Sequence, residues 1–221
     1  MIVTIDGPAG TGKSTVARRL AEELGFQFLD SGAMYRMVAL KTLQTQIDST
    51  NHAALIALIH STSIDLSEGG YLMDGADVSQ EIRTPEVTRL ASFVAQIPDV
   101  RELLVQRQRD FASSRNIVCE GRDQGTVAFP HAECKFYLTA TAEVRARRRL
   151  MELQSQGKPA IFEELLRDQT ARDRRDEERE ASPLRPAADA VIVDTTDLSM
   201  DEVIEVLRNQ IRIRQQSLQA Q

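Results

Sequence analysis

Tryptophan is absent from this 221-residue sequence, aromatics make up 5% of it, and it holds two cysteines and three histidines. Cys119 and Cys134 are too few and wrongly spaced for a secreted disulfide framework or a zinc knuckle. Both lie in apolar, strand-like runs and read as reduced core thiols. No apolar run approaches the ~20 residues that span a bilayer. The start MIVTIDGPAG lacks the basic residues and small-residue cleavage site of a signal peptide. A soluble, cytoplasmic protein that does not engage a membrane is expected. Positive charge is also in deficit, with 27 Lys+Arg against 33 Asp+Glu and a formal charge of −6. That disfavours a binder of nucleic acid polymers, whose non-specific affinity comes from neutralising many phosphates. An anionic ligand must instead be met by cations gathered locally.

What is present is ordinary globular composition, 42% hydrophobic and 27% charged, enough for one domain over residues 1–221 with a sizeable insertion. Five short segments read as buried strands: Ile2 to Asp6, Phe26 to Asp30, Asn116 to Glu120, Lys135 to Ala140 and Ala190 to Thr195. Helical stretches alternate with them. Val16, Leu20 and Leu24 recur at a four-residue spacing before Gly25, a natural C-cap. Ser31 is expected to cap a helix through Leu40, and Thr141 to open another through Met151. Buried strands alternating with helices predict an α/β fold with a parallel sheet covered on both faces. About seventy residues between the helix near Ala33 and the strand at Asn116 break this rhythm. There SIDLS and YLMDG flank a Glu68-Gly69-Gly70 turn, suggesting a small antiparallel unit. Thr84-Pro85 and Pro98-Asp99 each start a helix with proline at its first position. Residues 63–113 therefore read as an inserted subdomain. The polar tail from Arg208 is expected to fray.

Immediately after the first strand stands Gly7-Pro8-Ala9-Gly10-Thr11-Gly12-Lys13-Ser14, a full match to G-x-x-x-x-G-K-[ST]. The glycines let backbone N–H groups turn toward a β-phosphate, and the helix that follows adds its positive end. Lys13 reaches the β- and γ-phosphates in such loops, and the Ser14 hydroxyl ligates Mg²⁺. This motif alone says only that the protein binds nucleotide. No guanine-reading N-K-x-D stretch occurs, and no hydrophobic strand ending in adjacent acidic residues marks a motor ATPase. A small-molecule kinase needs cations converging from several strand ends, where ligands of such sheets bind. The strand ends supply Ser31-Gly32-Ala33-Met34-Tyr35-Arg36, then Gly121-Arg122-Asp123, then a helix bearing Arg145, Arg147, Arg148 and Arg149.

The stretch Arg172 to Glu180 is charged at every position, so as a helix it offers a core no apolar face. Arg172, Arg175, Asp176 and Arg179 fall on one stripe. Such a stripe suits phosphates and a ribose, or it is a solvated face held by i,i+4 pairs. From Thr141 to Arg185 eleven basic residues stand against ten acidic, so phosphate binding there needs aimed guanidinium groups rather than diffuse charge. His52, His60 and His131 fall in a helix, a helix end and a loop, and none reads as a catalytic base. The acceptor stays open at this point between a small-molecule kinase and a binding or regulatory protein that hydrolyses ATP slowly.

Taken in order, GPAGTGKST, DSGAMYR, EIRTPEV, EGRDQGTVAFP, and RDRRDEERE followed by Ser182-Pro183 resemble the successive motifs of the bacterial cytidylate kinases, from Ile2 to about Leu207. The family belongs to the nucleoside-monophosphate kinases. The resemblance implies a P-loop, three-layer fold with a five-stranded parallel sheet flanked by helices, an inserted acceptor-binding subdomain at 63–113, and a short lid in 154–180. It implies transfer of the γ-phosphoryl group of ATP to CMP or dCMP with Mg²⁺, in pyrimidine nucleotide metabolism. By the same resemblance Gly7, Pro8, Ala9, Gly10, Thr11, Gly12, Lys13, Ser14 and Thr15 bind ATP, and Ser14 the Mg²⁺. Ser31, Tyr35 and Arg36 contact the acceptor phosphate. Ser92, Arg101 and Asp123 read the cytosine. Arg172 and Asp176 hold the ribose, and Arg179 with Arg122 bridges the phosphates. Lys13, Arg122, Arg172 and Arg179 are thus the expected catalytic residues. A carboxylate accepts from the cytosine N4 amine and an arginine donates to N3 or O2, whereas uracil would leave both unpaired. UMP as acceptor remains the nearer alternative, and a monomer is expected.

Overall fold

The computed structural model describes residues 1–66 and 70–219. Among them are eight strands: β1 (Ile2–Asp6), β2 (Gln27–Asp30), β3 (Ile64–Asp65), β4 (Leu72–Met73), β5 (Ala76–Asp77), β6 (Ile117–Gly121), β7 (Cys134–Thr139) and β8 (Val191–Asp194). The five segments rich in β-branched residues all form strands, and they join in one parallel sheet of order β2-β6-β1-β7-β8 flanked by helices. Period-two alternation divides the central strand. Val3 and Ile5 face a core with Val118, Phe136, Leu138 and Val193, while Thr4 and Asp6 lie on the opposite side. The helices are α1 (Lys13–Leu24), α2 (Ser31–Gln44), α3 (His52–Ser61), α4 (Pro85–Val94), α5 (Pro98–Ala112), α6 (Ala142–Ser155), α7 (Phe162–Glu178) and α8 (Met200–Gln219).

The chain divides into two compact units, one of Met1–Phe28 with the residues from Ser114 onward, the other of Leu29–Ser113. In the first, α1 brings Val16, Ala17 and Leu20 onto the sheet, and α8 brings Val203, Ile204, Leu207 and Ile211. The tail beyond Arg208 therefore does not fray where expected. Ile211 is fully buried, and that anchorage carries α8 on to Gln219. Gly25 ends α1 at φ 65°, in the left-handed conformation its lack of a side chain permits. Cys119 and Cys134 are both buried free thiols.

The second unit holds the segment 63–113 together with α2 and α3, and packs α2 on α4 and α3 on α5. Thr84 caps α4, its side chain accepting from Val87 N, with Pro85 at the first position. The small antiparallel unit is present as β3-β4-β5. Of the turn expected at Glu68-Gly69-Gly70, Glu68 and Gly69 lie outside the described residues. The cap of α2 is displaced by one residue from the sequence reading. Asp30, not Ser31, sits at the N-cap and accepts from Ala33 N at 2.8 Å. Both residues are capping types, and the extended backbone of β2 continues through Asp30, which decides between them.

Candidate active site

The parallel register sets Asp6 opposite Gly121 on one side and Tyr137 on the other. The loops that leave β1 and β6 therefore start at one edge of the sheet. The first is the Gly7–Ser14 loop. Gly7 has φ 142°, and a Cβ there would lie 2.0 Å from the Leu138 carbonyl oxygen of β7. Only glycine lets the chain pass so close. Gly12 begins α1 at φ 89° with no side-chain cap among the described residues, and the first N–H groups of a helix suit an anion. Lys13 is buried and donates to the Pro8 carbonyl at 2.6 Å and to Thr11 Oγ1 at 3.4 Å. Burial and the Arg122 guanidinium lower its pKa to about 7, against the opposing pull of Glu120 and Asp6.

Ser14 donates its hydroxyl to Glu120 Oε1 at 2.9 Å. The sequence reading gave Glu120 no role of its own. Its one signal is a carboxylate at the end of an apolar strand, 106 residues from the serine it meets. Ser14 and Glu120 set two oxygen donors side by side, a pair that would suit a hard divalent cation that keeps most of its waters. No cluster of three or more His, Cys, Asp or Glu able to hold a metal occurs among the described residues.

Asp6, at the tip of β1, accepts Gln124 N at 2.9 Å on one oxygen and Gly125 N at 2.7 Å on the other. Burial pushes its pKa up to about 7 in spite of these two bonds. Between β6 and this anchor lies the Gly121-Arg122-Asp123 turn. Arg122 Nε donates to Asp176 Oδ2 at 2.9 Å. Burial works against the Arg122 charge, but Asp176 and Glu120 outweigh it and raise its pKa. Reciprocally, burial of Asp176 is outweighed by Arg122 and Arg172, which hold its carboxyl below the usual range. Asp123 lies 3.8 Å from Arg179 Nη2, and Arg172 is near enough to Lys13 to depress its pKa. Thus Lys13, Ser14, Arg122, Asp123, Arg172, Asp176 and Arg179 come together in the first unit.

The charged segment is helical to Glu178, with Arg179 as its C-cap. Its inward stripe differs by one member from the sequence reading. Arg175 is exposed, and Asp173 takes the buried place beside Asp176. The reason is a partner on α6: Asp173 Oδ2 meets Arg145 Nη1 at 2.6 Å. Arg145 also donates to the carbonyl of Ala9 at 2.9 Å, tying α6 and α7 to the loop. The other arginines of α6 diverge. Arg148 bonds the hydroxyl and the carbonyl of Thr195, Arg149 pairs with Glu152 on the surface, and Arg147 is exposed.

The second unit carries its own set. Ser31 and Tyr35 are buried in the first turns of α2. Arg36 Nη2 donates to Asp30 Oδ2 at 3.0 Å. Arg101, buried on α5, stands 5.5 Å over the Tyr35 ring and donates to the Ala95 carbonyl at 3.0 Å. Ser92 Oγ, on α4, is buried with no hydrogen-bond partner among the described residues.

A sequence model of the family described as cytidylate kinase matches residues 3–213. A cytidylate kinase of Desulforamulus reducens is 49% identical over 205 residues, covering 91% of this chain and 92% of its own length. One of Caldanaerobacter subterraneus subsp. tengcongensis is 46% identical over 210 residues, covering 95% and 94%. Among solved structures, a shikimate kinase of Bacteroides thetaiotaomicron superposes with a TM-score of 0.50 at 12% identity, covering 96% of this chain and 98% of its own. A gluconokinase of Sinorhizobium meliloti gives 0.50 at 18% identity, with 98% and 94% covered. At such identities these two speak for the fold alone. No helix among the described residues is long and apolar enough to cross a membrane.

Proposed function

Because the chain belongs to the cytidylate kinase family, we propose that it transfers the γ-phosphoryl group of ATP to CMP or dCMP, releasing ADP and CDP or dCDP. The observation that carries this reading is the meeting of Lys13, the Ser14–Glu120 pair, Arg122, Arg172 and Arg179 in the first unit. Gly7 to Thr15 hold the ATP phosphates, with the uncapped start of α1 facing them. Ser14 and Glu120 would hold a Mg²⁺ ion, which would supply charge neutralisation to the ATP phosphates. Lys13 exchanges its bonds to Pro8 and Thr11 for phosphate oxygens.

The attacking oxygen of a nucleoside monophosphate is already anionic near neutral pH, so no side chain has to take its proton. Catalysis is alignment and charge neutralisation, with Arg122, Arg172 and Arg179 around the transferring group. Asp176 aims Arg122 and, with Arg172, holds the ribose. Ser31, Tyr35 and Arg36 bind the acceptor phosphate. Asp123 accepts from the cytosine N4 amine, and Arg101 and Ser92 donate to the ring. Uracil offers Asp123 an acceptor and Arg101 a donor. Two unpaired buried groups at ~1–3 kcal/mol each give roughly hundredfold discrimination. In this reading 63–113 is the acceptor-binding insertion and 154–180 the lid, and the enzyme works as a cytoplasmic monomer on two diffusible nucleotides.

A coupled ADP-release assay with Mg-ATP and a panel of acceptors tests the reading. CMP and dCMP should turn over, UMP should be roughly a hundredfold poorer in kcat/KM, and ATP alone should give almost no ADP. Release from ATP alone at the same rate would make the protein a hydrolase, and UMP equal to CMP would remove Asp123 from base reading.

A further inference from the structure

The second unit contains a buried acid that the proposed transfer does not use. Asp30, 3% exposed, divides its carboxylate between two tasks. Oδ1 accepts Ala33 N and so caps α2. Oδ2 accepts from Arg36 Nη2 at 3.0 Å and also from the Tyr71 hydroxyl at 2.9 Å. Tyr71 comes from a different element, at the entrance of β4 in the small antiparallel sheet. Its backbone is fixed there, N–H donating to Ser79 Oγ at 3.1 Å and carbonyl accepting from Val78 N at 2.9 Å. The phenol is 7% exposed, so its ring serves packing and phenylalanine would fill the place equally well. The hydroxyl therefore has its use at Asp30.

That use follows from the geometry of a guanidinium. A carboxylate left to itself takes arginine through both oxygens and occupies one whole edge of the fork. Here one oxygen is committed to the helix cap and the other is shared with a phenol, so Arg36 is held by a single corner. Its Nε is buried and donates to nothing among the described residues. The first turn of α2 is shaped around the pair as well. A Cβ at Gly32 would meet Arg36 Nη1 at 3.1 Å and Asp30 Oδ1 at 3.2 Å.

We propose that Tyr71 is a positioning residue: by sharing Asp30 with Arg36, its hydroxyl keeps the guanidinium oriented with a donor edge open for the acceptor's phosphate. This rests on the reading of Arg36 as a contact of that phosphate. It assigns the small antiparallel sheet a part in substrate binding, exerted through one O–H group.

Initial rates over a CMP by ATP grid, for the full chain and for Tyr71→Phe, Arg36→Ala and the double variant, test it. Tyr71→Phe should raise KM for CMP about three- to tenfold, leaving KM for ATP and kcat within about twofold. In the Arg36→Ala background the same change should add nothing, because the group it orients is gone. An unchanged KM for CMP in Tyr71→Phe, with Arg36→Ala still impaired toward CMP, overturns the positioning role and leaves the functional reading standing. A Tyr71→Phe effect of equal size with and without Arg36 also overturns it, since that is what a general packing role gives. An unchanged KM for CMP in Arg36→Ala removes Arg36 from the acceptor site, and with it both the reading of that residue and this inference.

Discussion

Burying Lys13 costs free energy that the nearby Glu120 and Asp6 carboxylates do not fully offset, and the cost is visible as a pKa lowered to about 7 by burial and by the Arg122 charge. A lowered lysine pKa means that the folded state disfavours the proton. The penalty is present in full below about pH 7 and is relieved as pH rises from there toward the unfolded value. The bonds from Nζ to Pro8 and Thr11 recover only part of it. Lys13→Met should therefore separate stability from activity. Without nucleotide or metal, near pH 6, the variant is expected to melt no lower than the wild type, and its advantage should shrink as pH rises above about 7. Its kcat should fall by at least about a hundredfold, the scale of losing one preorganised cation at a reacting oxygen. Thermal melts across pH and the ADP-release assay check the two halves. A variant that unfolds, or one that keeps its turnover, would contradict the assignment.

Elements carry the next level of control, and the Asp6 bridge between β1 and the turn after β6 shows it. One carboxylate takes two successive backbone N–H groups, fixing the end of the turn that bears Arg122 and Asp123. Burial nevertheless pushes its pKa up to about 7. With the folded pKa above the unfolded one, the folded state holds the proton longer. Asp6 stabilises the fold at low pH and loses that contribution as pH rises from about 4 to about 7, with a slope of at most about 1.4 kcal/mol per pH unit. Asp6→Asn does not titrate, and it sets an NH₂ against one of the two donors. It should be less stable than the wild type by about 1–3 kcal/mol near pH 5, with the gap narrowing toward pH 7. Urea unfolding at several pH values measures it, and a gap constant with pH would refute the linkage. None of this was legible in the chain. Strands, the loop motif, Gly25 and the Thr84-Pro85 start are local signals a few residues long, and they were readable. Glu120 with Ser14, or Asp6 with Gln124, are pairings across more than a hundred residues that no local pattern encodes. The misreadings have the same origin. The periodicity of α7 was readable, but its phase was set by Arg145 drawing in Asp173. The length of α8 was set by Ile211 reaching the core.

For the whole molecule, the formal charge of −6 bears on how it meets anionic nucleotides. At long range the field repels them, and salt weakens that repulsion within a Debye length of ~10 Å at 0.1 M. At short range the cations of the proposed site are buried or half-buried, with Arg122 paired to Asp176 and, beside them, Arg145 paired to Asp173. Such groups are screened far less than exposed lysines. The two effects act in opposite directions, so they largely offset. Raising salt from about 50 to about 300 mM at fixed free Mg²⁺ should change kcat/KM for CMP by no more than about threefold. A surface that bound phosphates through six to ten exposed cations would lose about a thousandfold or more over a comparable range. For the same reason an RNA homopolymer should not compete with CMP, because its phosphates cannot reach paired, enclosed guanidinium groups. A steep fall with salt, or inhibition by the polymer, would mean that the working cations lie on the open surface rather than around the Gly7–Ser14 loop.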